Sequence, residues 1–135
     1  MDLDLYYQKE SHRVAKNFNR AKHKGFKDKD EFSGWFINQL KANNCRCYYC
    51  ETSIHDIRRL IEAGILKERK TGNGFRGRIL EVDKNEKDYL KDHCVVSCYY
   101  CNNDKSYTSE KDDYKENFGA NRKIYFSKLI DQIDR

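Results

Sequence analysis

The sequence has no proline at all, and no stretch of it approaches the ~20 consecutive apolar residues that a helix needs to cross a bilayer. A membrane-spanning helix is therefore excluded, and the protein is expected to be soluble with no membrane partner. No apolar signal segment opens the chain either, so a reducing cytoplasm is the expected compartment, where closely spaced cysteines more often hold metal than form disulfides. Without proline, element boundaries must be read from glycines and capping residues. Nothing in the composition marks a linker, and 135 residues make one small domain. Apolar residues are 38% of the chain against 36% charged, so the apolar core must be thin, and a bound metal is expected to supply part of the folding free energy. Lys and Arg number 27 against 22 Asp and Glu, a net charge of +5 that hints at a polyanionic partner.

What the sequence does contain is one tetrapeptide twice. Cys47-Tyr48-Tyr49-Cys50 and Cys98-Tyr99-Tyr100-Cys101 are separated by 47 residues. A Cys-x-x-Cys knuckle aims two thiolates at one ion, and two knuckles complete the four-sulfur tetrahedron of a closed structural zinc site. By spacing alone Cys45 could replace Cys47, but the identity of the repeats favours Cys47 and Cys50. Cys45 and Cys94 are then expected to be small, partly buried thiols.

Helical spacing from Leu3 to about His23, closed by Gly25, predicts a first amphipathic helix. Asp28 with Glu31 reads as a capping box that opens a second helix, with Phe32, Trp35, Phe36 and Leu40 as its core stripe. Ser53 with Asp56 opens a third, short helix through Ile57, Leu60, Ile61 and Leu66. Lys67 to Arg78 is a glycine-rich basic loop, in which Arg76 and Arg78 are the choices for contacts to a nucleic-acid backbone. Period-two alternation in Ile79–Asp83 predicts a strand that sends Glu81 and Asp83 to one side. Cys94–Ser97 is a second strand, the second knuckle leads into a helix, and Asn121 onward predicts a final amphipathic helix.

Asp83 at the end of one strand and Asn102 at the start of a helix can face each other across this strand–strand–helix unit. A carboxylate and an amide oxygen, with water and phosphate filling the other positions, suit Mg²⁺ or Mn²⁺. A helix opening at Asn102 would also aim its N-terminal dipole at a phosphate.

The run Leu80-Glu81-Val82-Asp83-Lys84, then Tyr89, then Cys94 through Lys105, resembles the HNH endonucleases. Upstream, Arg20-Ala21, His23, Gly25-Phe26, Phe32 and Trp35 are similar to the helical lead-in of small phage-type and restriction-type members. The resemblance implies an α+β chain: a small ββα-metal core (His-Me finger, treble-clef-like) at residues 45–118, with a helical lead-in over 1–44 and a C-terminal helix over 119–135. It implies metal-dependent cleavage of double-stranded DNA, with Asp83 and Asn102 as ligands of the catalytic ion and the four cysteines serving architecture.

The chain departs from the family pattern at two positions. Many members carry a His as general base directly after the Asp; here that position is Lys84. A lysine of ordinary pKa is protonated at neutral pH and is a poor base, so a phosphate clamp is the favoured role, as for relatives with Arg there. The family's loop-bracing Asn corresponds to His93, for which bracing is favoured over proton transfer. His23 falls where some relatives place an active-site His, and Lys105 where they carry a phosphate-contacting Lys. The resulting expectation is a restriction-like or mobile-element nuclease, with a homodimer as one route to cutting both strands. The alternatives are a zinc-dependent nucleic-acid-binding protein with a decayed catalytic site, or a structural adaptor.

Overall fold

The computed structural model describes residues 2–67, 80–84, 90–91, 94–105 and 109–135, with the side chains of 80–84 outside that description. The chain is a mixed α+β assembly. Three helices come first: α1 (Leu3–Lys16), α2 (Lys29–Ala42) and α3 (Ile54–Glu62). An antiparallel pair follows, β1 (Leu80–Lys84) and β2 (Cys94–Cys98), and α4 (Tyr99–Lys105) leaves β2 without an intervening residue. A last helical run comprises α5 (Lys111–Tyr114), a π-helical turn (Lys115–Gly119) and α6 (Ala120–Ile133).

Local chemistry fixes most of these boundaries. Asp2 accepts from the Leu5 amide at 3.1 Å, Asp28 from that of Glu31 at 2.9 Å, and Ser53 from that of Asp56 at 3.1 Å. Each side chain thus satisfies an amide that the first helical turn leaves unpaired, worth about 1 kcal/mol per cap. The box at Asp28 is reciprocal in part, since the Lys27 amide donates to Glu31 Oε1 at 3.3 Å. At the far end of α2 the chain turns through positive φ at Asn44 and Cys45, and the Cys45 amide returns to the Leu40 carbonyl at 2.8 Å. That closure aims the chain from α2 directly into the first knuckle.

Several sequence expectations shift here. The first helix stops at Lys16, because Asn17 caps it and residues 17–27 fold into successive turns instead of continuing to His23. Gly25 therefore closes no helix. It lies against the next layer: a Cβ there would sit 2.6 Å from both Leu90 Cα and Lys91 N. The third helix ends at Glu62, before Leu66. Asn102 is the fourth residue of α4, not its start, so a helix dipole opening at Asn102 is removed. The final helix expected from Asn121 is met by α6, and the turns from Lys111 to Gly119 that lead into it are additional.

The aromatic stripe of α2 forms core as expected, with Phe32, Phe36 and Leu40 buried and Trp35 packed at its margin. Ile54, Ile57 and Leu60 of α3 and Phe126 and Leu129 of α6 join the same apolar cluster, which also takes in the knuckle cysteines. Full burial of such a side chain stabilises by about 1.5–3 kcal/mol. No helix among the described residues is long and apolar enough to cross a membrane.

Candidate metal centre

The first knuckle sits in a small loop closed by an antiparallel bridge between Arg46 and Ser53. The Cys47 amide donates to the Thr52 carbonyl at 3.0 Å, and that of Ile54 to the Cys45 carbonyl at 2.9 Å. Glu51 leaves the knuckle with a φ of 57°, turning the chain sharply back. The second knuckle has a different backbone: Cys98 ends β2, and Tyr99, Tyr100 and Cys101 begin α4. The first knuckle is tied to β2 by the Tyr48 amide, which donates to the Val96 carbonyl at 3.1 Å.

This places Cys47, Cys50, Cys98 and Cys101 together, all buried, with sulfurs within 4.8 Å of one another. Cys50 Sγ and Cys98 Sγ are 3.9 Å apart. A tetrahedron with zinc–sulfur bonds of ~2.3 Å has sulfur–sulfur edges of about 3.8 Å, whereas a disulfide needs ~2.05 Å. The cluster is thus compatible with a four-thiolate zinc shell. The sulfurs are also hydrogen-bonded for charge: Cys47 Sγ accepts from the amides of Tyr49 at 3.3 Å and Cys98 at 3.2 Å, and Cys98 Sγ from that of Cys101 at 3.4 Å. Left to themselves the thiols compete. Hydrogen bonds from Cys101 and then Cys47 hold Cys50 far below its ordinary value, while burial pushes Cys98 up and hydrogen bonding with Cys47 pushes Cys101 up. One buried thiolate is tolerated at the expense of the others, and a divalent cation removes that conflict by holding all four deprotonated.

Cys45 does not belong to this cluster. It is buried, as is Cys94, and takes a hydrogen bond at 3.3 Å with the Tyr7 hydroxyl, which pushes the Tyr7 phenol up to about 12.

The C-terminal run clasps the first knuckle, and sequence reasoning missed it. Lys115 Nζ donates to the Tyr48 carbonyl and lies 4.7 Å from the centre of the Tyr48 ring, whose hydroxyl donates to Asp112 at 2.9 Å. Gly119 meets the knuckle backbone so closely that a Cβ would lie 2.4 Å from the Tyr49 carbonyl oxygen. Tyr114 packs edge-on to Tyr49 at 5.0 Å and donates to Asp104 of α4 at 2.8 Å, tying both knuckles to this run. Beside it stands Arg122, 3.8 Å from the same Asp104 carboxylate. Burial works against the Arg122 charge, but Cys101, Tyr114 and Cys98 outweigh it, and its pKa is raised. The signal in the sequence was Gly119 just before the apolar periodicity of the last helix, since a glycine beside a regular element often marks a close approach.

The repeats are also used in opposite senses. In the first, Tyr49 is buried and Tyr48 partly exposed; in the second, Tyr99 is buried and Tyr100 partly exposed against Phe126.

The expected catalytic residues fall as follows. Asp83 and Lys84 lie at the end of β1, paired in register with Val95 and Cys94, and their side chains are among those outside the description. Asn102 is half-buried in α4, which follows β2 and packs back on the strand pair. His93, Arg76 and Arg78, with the basic loop from 68 on, lie outside the described residues. His23 is buried; its ring lies 4.5 Å from that of Phe32 and 5.3 Å from that of Phe18, and its Nδ1 is 2.8 Å from the Asn19 carbonyl oxygen. Lys105, expected to contact phosphate, is 1% exposed, with its side chain enclosed by protein. His12 and His55 are exposed helix residues.

Comparison with protein-family models, with curated proteins and with solved structures returns no match.

Proposed function

We propose that this protein is a zinc-supported, metal-dependent endonuclease of the HNH type acting on double-stranded DNA. The observation that carries the reading is the coupling of the four-cysteine cluster to the β1–β2–α4 unit. Two of the four sulfurs lie at the junction of β2 and α4, so a zinc there would fix the angle between strand pair and helix. Asp83 and Asn102 stand on the two elements held at that angle. A centre of this kind is architectural, since a closed four-sulfur shell leaves no open position for substrate.

In this reading Asp83 and Asn102 hold the catalytic divalent cation, which when bound would polarise the scissile phosphate and stabilise the leaving oxygen. Lys84 holds the phosphate beside them by charge, and His93 braces the connection between the strands. His23 belongs to the turn that docks, through Gly25, on Leu90 and Lys91 of that same connection. The turn is held there by Lys91, whose ammonium reaches Glu31 at 2.8 Å and lies 5.7 Å from the Phe26 ring centre. In this reading His23, on that turn, is a candidate for the base.

The test is plasmid nicking with Mg²⁺ or Mn²⁺ by wild type beside Asp83→Ala, with zinc content measured in both. Wild type is expected to nick. The variant should retain fold and zinc and lose nicking by several orders of magnitude, since a charged ligand of the reactive ion is removed. Cleavage by the variant at the wild-type rate would refute the site. DNA retardation with no nicking by wild type at any metal concentration would instead favour a binding protein with a decayed catalytic site.

A further inference from the structure

Between Glu10 and Asp28 the chain carries no acidic residue for 17 positions, Ser11 to Lys27, while it carries six cations: Arg13, Lys16, Arg20, Lys22, Lys24 and Lys27. The net charge of the whole chain is +5, so the residues outside this run sum to −1. All of the excess positive charge is concentrated in about an eighth of the sequence.

The fold turns this run outward. Arg13 is paired with Glu10, and Lys16, Arg20, Lys22 and Lys27 are exposed. The two flanking acids are committed locally, Glu10 to Arg13 and Asp28 to the cap of α2. The backbone beneath the cations is held firmly. The amides of Lys22 and His23 donate to the Asn19 carbonyl at 3.0 and 2.7 Å, that of Ala21 to Asn19 Oδ1 at 2.9 Å, and that of Phe26 to the His23 carbonyl at 3.1 Å. His23 and Phe26 are buried and anchor the run from below, Phe26 standing 4.9 Å from Phe32 and 5.3 Å from Trp35. Alternation is the result: His23 and Phe26 are buried while Arg20, Lys22 and Lys27 are exposed. Gly25 sets this turn against Leu90 and Lys91, in the connection that leaves β1 just after Asp83 and Lys84.

We infer that residues 16–27 form a preorganised platform that grips the phosphate backbone of double-stranded DNA alongside the β1–β2 connection. The inference rests on the nucleic-acid reading above and adds the surface that makes the contact. Several cations carried on one anchored turn suit a duplex, whose phosphates are closely and regularly spaced, and such contacts position a protein without reading sequence. This surface is built on anchored backbone, so little ordering of the main chain is needed on binding.

The experiment is fluorescence anisotropy with a labelled duplex from 50 to 200 mM salt, without added Mg²⁺, using the full chain with its zinc. Wild type is compared with the triple variant Arg20→Gln/Lys22→Gln/Lys27→Gln and with the control Lys128→Gln/Arg135→Gln on and beyond α6. All five residues are exposed, and zinc content and thermal melting confirm folding. Each lost phosphate contact should lower the slope of log affinity against log salt by about 0.9, so the triple variant should fall by about 2.7, and the wild-type advantage should shrink ~40-fold across this salt range. The control should move little. Equal binding by wild type and triple variant at every salt would overturn the platform while leaving DNA binding intact. An equal loss per charge in the control would also overturn it, leaving net charge as the cause. No binding by wild type at 50 mM salt would sink both this inference and the nucleic-acid reading.

Discussion

Two glycines in helical surroundings make opposite predictions for the same substitution. Gly119→Ala and Gly34→Ala both replace glycine by the best helix former, a change worth up to about 1 kcal/mol in favour of the variant in an open helix. At Gly34, in the middle of α2, a new Cβ meets nothing within 4 Å, so that gain should be realised. At Gly119 the Cβ would lie 2.4 Å from the Tyr49 carbonyl oxygen and 2.8 Å from its carbon. Both are backbone atoms of the metal-binding knuckle, with no rotamer to relieve the clash, so knuckle and π-helical turn must separate by roughly 1 Å. Overpacking of this kind costs about 1–3 kcal/mol, and the separation also stretches the Lys115 bond to the Tyr48 carbonyl. Against the propensity gain, Gly119→Ala should lose a net ~1–2 kcal/mol. For a chain of this size that is a melting point lower by about 3–6 °C, whereas Gly34→Ala should melt about 3 °C higher. Thermal unfolding of zinc-loaded protein followed by circular dichroism reads both, and chelator competition should draw zinc faster from Gly119→Ala alone. If Gly119→Ala melts as high as Gly34→Ala, the clasp on the knuckle is wrong.

Metal analysis should return about one zinc per chain; Cys98→Ser should lose both zinc and the cooperative melt, and Cys45→Ser should keep zinc because Cys45 stands outside the four-sulfur cluster. A folded, zinc-free Cys98→Ser would remove zinc from the folding argument. For Lys84, a phosphate clamp predicts that Lys84→Arg retains nicking while Lys84→Ala loses about 10²-fold, typical of one electrostatic contact. A general base predicts that Arg is as damaging as Ala and that the acidic limb of the pH–rate profile vanishes; both variants assayed from pH 6 to 10 separate the two.

What the sequence disclosed well was chemistry that acts locally. Asp28 and Ser53 declared their helices because a cap needs only a side-chain oxygen and an amide three residues on. The duplicated knuckle declared the cluster because four thiolates around one ion leave few spacings open, and the identity of the repeats separated Cys47 from Cys45. Failures came where distant segments decide. Residues 17–27 have apolar residues at helical spacing, yet they fold as turns because His23 and Phe26 are drawn into the aromatic cluster of Phe18, Phe32 and Trp35. The segment 111–119 is polar with a glycine at its end, so no periodicity marked it; it is helical because Tyr114 and Gly119 pack on the knuckle. Lys105 read as a phosphate contact, since sequence pattern alone does not reveal that this charged side chain of α4 is enclosed.

The opposite use of the two tyrosines in the repeats bears on how such a duplication persists. Tyr49 and Tyr99 face inward while Tyr48 and Tyr100 sit at the margin, so a change tolerated at the first tyrosine of one repeat falls on an enclosed ring in the other. The two copies therefore place different packing demands on each position despite being spelled alike. Drift should preserve the second tyrosine upstream and the first downstream, and the literal identity seen here should decay into two unlike knuckles sharing only their cysteines. By the same token, transplanting either tetrapeptide with its flanks into the place of the other would exchange a turn for a strand-to-helix junction, and the words, though identical, would not carry their meaning with them.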